Sequence, residues 1–174
     1  MGTQGSTMFA PLRQGLPPID PVSVSSSVSC ALTGAYESVS GARRFTEAAL
    51  GRWELSDCFD DVALVVSELV TNALRHALPG SGPAAPEPAV RLHLMRWTSR
   101  LVCAVRDPSE TSPVAGEISA DDPDCSAESG RGLYLVEAFS DSWGWHPLAG
   151  TLHGKVVWAM FHLPATARRN ALAV

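Results

Sequence analysis

The stretch Asp61-Val-Ala-Leu-Val-Val-Ser-Glu-Leu-Val-Thr-Asn-Ala-Leu-Arg-His-Ala77 constrains the fold more than any other part of this chain. It reads as one amphipathic helix carrying Glu68, Asn72 and His76 at successive i, i+4 steps. That spacing puts three polar side chains in one slowly drifting stripe. Val62, Val65, Val66, Leu69, Val70 and Ala73 supply the apolar surface around the stripe and call for a packing partner. A helix face simply turned to solvent would more usually carry Lys, Arg and Glu. An amide and a carboxylate one turn apart beside apolar packing have the character of a site; the alternative is a helix with a few polar residues at its exposed edge.

The 174 residues suffice for one domain with a sizeable core and are too few for two ordinary ones. Hydrophobic content of 45% with 18% charged residues is that of a globular chain. A net charge of −5 argues against a nucleic-acid surface, which must be basic. Of the thirteen basic residues twelve are Arg, and Lys155 is the only lysine. Cys30, Cys58, Cys103 and Cys125 form no Cys-x-x-Cys pair, so neither a zinc site nor a redox motif is suggested. Cys58 and Cys103 lie in apolar elements and are expected as small core residues. No run approaches the ~20 apolar residues of a membrane span, and the N-terminus lacks the order of a signal peptide. The expectation is a reduced, cytoplasmic protein without membrane contact.

Residues 1–27 are rich in Gly, Pro and Ser and are expected as a disordered N-terminal tail, followed by one domain over 28–165 and a flexible C-terminal tail over 166–174. Val28 to Thr33 predicts a short strand. Val39, Ala42, Phe45, Ala49 and Trp53 recur at helical steps from Glu37 to Trp53, with Gly51 near the end. Ser56 or Asp57 is expected to cap the next helix, which should run to about Leu78 and stop at Pro79-Gly80. Val90 to Trp97 and Leu101 to Val105 predict a strand pair turned at Thr98-Ser99. Residues 108–128 are expected as a long loop of the kind that is either a lid or a disordered segment. A helix over Gly132 to Phe139 and strands over Ser142 to Trp145 and Lys155 to Leu163 complete the order. The last strand is apolar on both faces and should be central. Strand, helix, helix, strand, strand, helix, strand, strand implies an α/β two-layer sandwich, a mixed β-sheet covered by helices.

Several residues on this frame carry possible chemistry. Asn72 offers a neutral oxygen that can join phosphate oxygens and water around Mg²⁺. Glu68, one turn earlier, can orient a hydroxyl or take its proton in phosphoryl transfer. His76 is better read as satisfying a carbonyl near the helix C-terminus. Asp107 ends an apolar strand, where a carboxylate can accept the exocyclic amine of adenine or simply start a turn before Pro108. Gly130 and Gly132 flank Arg131 at a helix start, where bare N–H groups and the helix dipole favour an anion; the bland reading is a tight turn. Arg131 adds a fork of donors suited to phosphate. Lys155, after Gly154, is expected at a solvated strand edge. Ser67 and Thr71 lack the base-and-orienter arrangement of a nucleophilic serine site.

Ser67-Glu-Leu-Val-Thr-Asn72, Val105-Arg-Asp107, Glu128-Ser-Gly-Arg-Gly-Leu133 and Gly154-Lys-Val-Val-Trp158 occur in that order over roughly residues 30–163. Together they resemble the Bergerat-fold (GHKL) ATPase domain, and within it the small anti-sigma-factor serine/threonine kinases. The resemblance implies ATP and Mg²⁺ as cofactors. It makes Glu68 the catalytic residue, Asn72 the metal ligand and Asp107 the adenine acceptor, with Gly130, Arg131, Gly132 and Leu133 holding phosphates. It also implies a sigma factor and an anti-anti-sigma (STAS-type) protein as partners, with a second copy of the chain a further candidate. One departure stands out: the superfamily usually has Asp-x-Gly-x-Gly, whereas here the segment is Asp107-Pro-Ser109-Glu-Thr111. A reshaped base pocket is therefore expected, and a module that sequesters its partner without phosphoryl transfer stays open beside the kinase.

Overall fold

The computed structural model describes residues 24–32, 37–77, 90–113, 131–149 and 152–164. In chain order these form β1 (Val24–Leu32), α1 (Glu37–Arg52), a 3-10 turn (Ser56–Cys58), α2 (Phe59–Ala77), β2 (Val90–Trp97), β3 (Arg100–Asp107), α3 (Arg131–Phe139), β4 (Ser142–Pro147) and β5 (Lys155–His162). The five strands make one sheet in the order β1-β2-β3-β5-β4. The α/β two-layer sandwich and its element order are those the sequence predicts. Residues 24–27, assigned to the tail, instead belong to β1, while residues 1–23 and 165–174 lie outside the described residues.

The sheet departs from expectation in one respect: it is antiparallel at every pairing rather than mixed. A helix between two strands ordinarily makes parallel neighbours of them. Here α3 joins β3 to β4, but β5 inserts between the two and runs against both. β3 and β4 therefore share a direction without touching. The insertion makes β5 central, as its two apolar faces demand, and its register sets Lys155 opposite Asp107.

The helices lie on one face of this sheet because α2 has an apolar side long enough to cover it. Val62, Val65, Val66 and Val70 are fully buried and Leu69 is 2% exposed. They join Leu92 and Leu94 of β2, Leu101, Cys103 and Val105 of β3, and Val157, Ala159 and Phe161 of β5 in one core. Each buried Val or Leu contributes about 1.5–3 kcal/mol relative to exposure. Met95, Trp97, Val102, Ala104, Val156, Trp158 and Met160 form a second cluster from the alternate strand positions. His93 belongs with this second set, and burial, reinforced by Arg91 and Arg106, pushes its imidazole pKa down to about 4.

The end of α1 is closed by backbone rather than by the glycine near it. Glu54 takes the left-handed conformation at φ 56°, with Leu55 N–H bonded to Leu50 O at 2.9 Å and Glu54 N–H to Gly51 O at 3.2 Å. These two bonds are the Schellman closure, with Leu55 and Leu50 as its apolar pair. Arg96 of β2, buried among the core residues, donates from Nη1 to Trp53 O at 2.6 Å and satisfies a further helix-end carbonyl. Ser56 and Asp57 do not cap α2; they lie in the 3-10 turn, which follows Leu55 without a side-chain cap. Among the described residues no helix is long and apolar enough to cross a membrane.

Gly154 sits just before β5 at φ +107°, a conformation L side chains rarely adopt, and a Cβ there would run into the Asp107 carbonyl oxygen and Pro108. Gly154→Ala is expected to cost at least about 2 kcal/mol, since strained backbone and steric overlap act together. A thermal midpoint equal to wild type would show that this turn relaxes freely and that the close approach is unimportant.

Candidate functional site

Two clusters of polar residues stand on the helix-bearing side of the sheet. The first is carried by α2. Its buried face positions Glu68 and Asn72 half-buried one turn apart, and α2 packs on both β3 and α3. The start of α3 meets α2 at Glu68: a Cβ on Gly132 would lie 2.9 Å from Glu68 Oε2. The absence of a side chain at position 132 is thus what lets the carboxylate approach the first turn of α3. Burial pushes the Glu68 carboxyl pKa above its usual range, with Arg75 pulling weakly the other way. A carboxylate so placed is a stronger base than an exposed one.

The first turn of α3 leaves backbone N–H groups without helical partners, and its dipole favours negative charge. Leu133 is 6% exposed, so its side chain serves packing and only its backbone can face an anion. Gly130, the side chain of Arg131 and the side chain of His76 lie outside the described residues. Ser67, next to Glu68, donates its hydroxyl to Ala63 O at 2.6 Å and receives Arg43 Nη1 at 3.2 Å. Its oxygen is engaged with the helix backbone and is not set up as a nucleophile.

The second cluster lies at the shared end of β3 and β5. Asp107 is 1% exposed. Its Oδ1 accepts the Ser109 N–H at 2.8 Å and the Lys155 ammonium at 3.0 Å, and Lys155 Nζ also donates to Ser109 O at 3.2 Å. The turn-starting role of Asp107 is therefore real, and it is joined to a buried ion pair. Lys155 corrects the sequence-based expectation: it is not at a solvated edge but buried, its side chain 3% exposed. The cause is register, because β5 is central and Lys155 falls opposite Asp107. The sequence held one signal of this, a sole lysine opening a strand apolar on both faces.

The segment after Asp107 explains how the missing glycines are tolerated. Among the described non-glycine residues only Glu54 has a positive φ, so Ser109 and Thr111 sit in ordinary backbone conformations. Thr111 N–H bonds to Ser109 Oγ at 3.3 Å, and the exposed Glu110 meets His153 at 2.9 Å. The close backbone approach next to Asp107 is supplied from the other side, by Gly154.

Fold and side chains together define an α/β domain with a carboxylate-bearing helix, α2, set against the first turn of α3. A family model described as histidine kinase-like ATPase domain matches residues 32–161, most of the chain. No curated protein matches. The chain belongs to the histidine kinase-like ATPase domain family, which makes it an ATP-binding domain of regulatory type.

The residues present fit a hydrated Mg²⁺. Asn72 offers a hard, neutral oxygen one turn from the Glu68 carboxylate on the same helix. One protein ligand is sufficient for an ion that keeps several waters and takes others from phosphate.

Gly132→Ala separates stability from function. The Cβ meets only the mobile end of Glu68, and Ala is favoured over Gly within a helix by about 1 kcal/mol. The thermal midpoint should hold or rise while nucleotide binding or turnover falls at least about tenfold. Unchanged activity in the variant would show that the Glu68 position is not critical.

Proposed function

We propose that this protein is an ATP-binding regulatory serine/threonine kinase of the anti-sigma-factor type, acting on a serine of an anti-anti-sigma partner and controlling transcription through a sigma factor. The observation that carries this reading is the Glu68 carboxylate held against Gly132, a base beside a helix start that can bind phosphate. Glu68 takes the proton of the partner's serine hydroxyl as its oxygen attacks the γ-phosphorus. The bond to the β-phosphate oxygen breaks, ADP leaves, and phosphoserine remains. Asn72 helps hold Mg²⁺, which neutralises phosphate charge when bound. The first turn of α3, with Gly130, Arg131, Gly132 and the Leu133 backbone, cradles the phosphates.

A second reading is favoured by the Asp107–Lys155 pair, which engages the carboxylate meant for adenine. In that case the protein binds and sequesters a sigma factor or regulatory partner without transferring phosphate. Glu68→Gln distinguishes the two, because Gln keeps shape and hydrogen-bonding reach while losing basicity. Nucleotide and partner binding should survive and transfer to the partner serine should fall by ~10²–10⁴-fold. A tight complex with no transfer by either protein would leave the sequestering module.

Asn72→Ala is expected to weaken Mg²⁺-dependent ATP binding at least tenfold while leaving metal-free binding nearly unchanged, as titration with and without Mg²⁺ would read. Equal affinities in wild type and variant would remove Asn72 from the metal site. Transfer requires ionised Glu68, whose pKa is raised by burial. Activity should therefore be lost on acidification with a midpoint above the ordinary carboxylate value of 4.5. A pH–rate profile flat down to that value would exclude Glu68 as the base.

A further inference from the structure

We propose that the sheet face turned away from the helices is the seat of residues 1–23, which cross it as an extended, proline-rich strap held by Trp97 and Trp158. The face is apolar and closed. Met95 is 3% exposed, Trp97 and Met160 6%, and Trp158 7%. With Val102, Ala104 and Val156 they form a cluster that contains no helix residue. Side chains stand roughly perpendicular to a sheet, so neighbours in the strands shield one another's flanks and leave the outer ends of Trp and Met open. Burial this complete needs a second layer. Among the described residues outside the strands only Leu148 packs there. It follows β4 at the Val156 end, because Pro147 pairs with Lys155. Trp97 lies at the far end. Val156 shares a row with Arg106 and Arg91, and at the rise of a strand Trp97 is ~20 Å beyond Arg91 along β2.

Chain outside the described residues therefore supplies the layer, and composition selects which part. The short links 33–36 and 150–151 leave from the Val156 end of the sheet. Residues 78–89 hold one large apolar side chain, Leu78, and residues 114–130 carry five acids and no base. Residues 165–174 hold Leu172 and Val174 beside two arginines. Residues 1–23 hold Met8, Phe9, Leu12, Leu16, Ile19 and Val22, with Arg13 and Asp20 their only charged side chains. They also meet the sheet at the right corner, since Val24 pairs with Trp97. Such a length reaches up to ~75 Å when extended, and five strands span only ~19 Å. Pro11, Pro17, Pro18 and Pro21 favour the polyproline form, which seats on aromatic-lined surfaces and keeps its carbonyls free of any ladder. The face offers matching donors: the indole Nε1–H groups of Trp97 and Trp158 are buried with no hydrogen-bond partner among the described residues. Gly144 of β4 makes room for the Trp158 ring, which stands 2.7 Å from where a Cβ would be.

The test reads hydrogen exchange of the Trp97 and Trp158 indole protons in the full chain, assigned from Trp→Phe variants, with Trp53 of the helix-side core as internal reference. Phe9→Ser combined with Leu12→Ser and Leu16→Ser should speed exchange at both indoles at least about tenfold and leave Trp53 unchanged. Leu172→Ser combined with Val174→Ser should alter neither. Unchanged exchange in the N-terminal variant overturns the proposal, as does protection lost only in the C-terminal one, which would make 165–174 the cover. Protection that falls when the wild type is diluted from dimer to monomer would make a second copy the cover and overturn it equally. Should the N-terminal variant fail to fold, p-benzoylphenylalanine in place of Leu12 decides by photo-cross-linking. Cross-links within one chain to β2 or β5 are expected; cross-links only between chains, or only to the helices, overturn the strap.

Discussion

The burial of one face of α2 against β2, β3 and β5 is the contact on which the rest of this molecule depends. Five valines and leucines with almost no exposure fix both the height and the rotation of the helix on the sheet. Rotation matters more for function, because the polar stripe follows from it. With Val65, Leu69 and Val66 turned inward, Glu68 and Asn72 are held at the flank, half in and half out of solvent. A helix that slipped or rolled would lose its core contacts before the carboxylate could leave the start of α3. The backbone that carries the two side chains is thus anchored by the core beneath it.

The two polar clusters are built on different physical principles. Around Glu68 the device is omission: a missing side chain at Gly132 brings a carboxylate to a helix terminus, and the cost is borne by the glycine. Around Asp107 the device is saturation, with a buried acid given a turn N–H and a buried ammonium. Buried ion pairs often add little net stability compared with apolar replacements, yet breaking one is expensive. The pair is best understood as fixing the conformation of the β3 end, where Ser109 and Thr111 stand in place of glycines. Gly154 completes that arrangement from the opposite strand.

Much of this was legible in the sequence wherever local periodicity decides the outcome. The α2 stripe, the two-faced β5, the Thr98-Ser99 hairpin and the order of elements follow from spacing within single segments. What was not legible depends on partners distant in sequence. The burial of Lys155 follows from a register with Asp107 that only the folded sheet defines; its place at the head of a strand apolar on both faces was the one local sign of it. The antiparallel sheet needed the knowledge that β5 inserts beside β3. At Glu54, backbone closure and the buried Leu50–Leu55 pair override an unfavourable left-handed conformation, which a propensity-based reading assigns to Gly51.

The place of β5 has a consequence for how the chain acquires its structure during synthesis. The strand that joins β3 to β4 is the last element of the sheet in chain order. A nascent chain carrying everything up to β4 therefore has an open seam in the middle of its sheet, with an unpaired edge on β3 and another on β4. Loop-closure entropy must be met before the final strand can repay it, the situation that slows β-rich topologies. The Asp107 carboxylate also waits for its cation until that strand emerges. Closure of the sheet and neutralisation of its buried charge are consequently one late event, and an interrupted chain presents an aggregation-prone cleft rather than a smaller version of the domain.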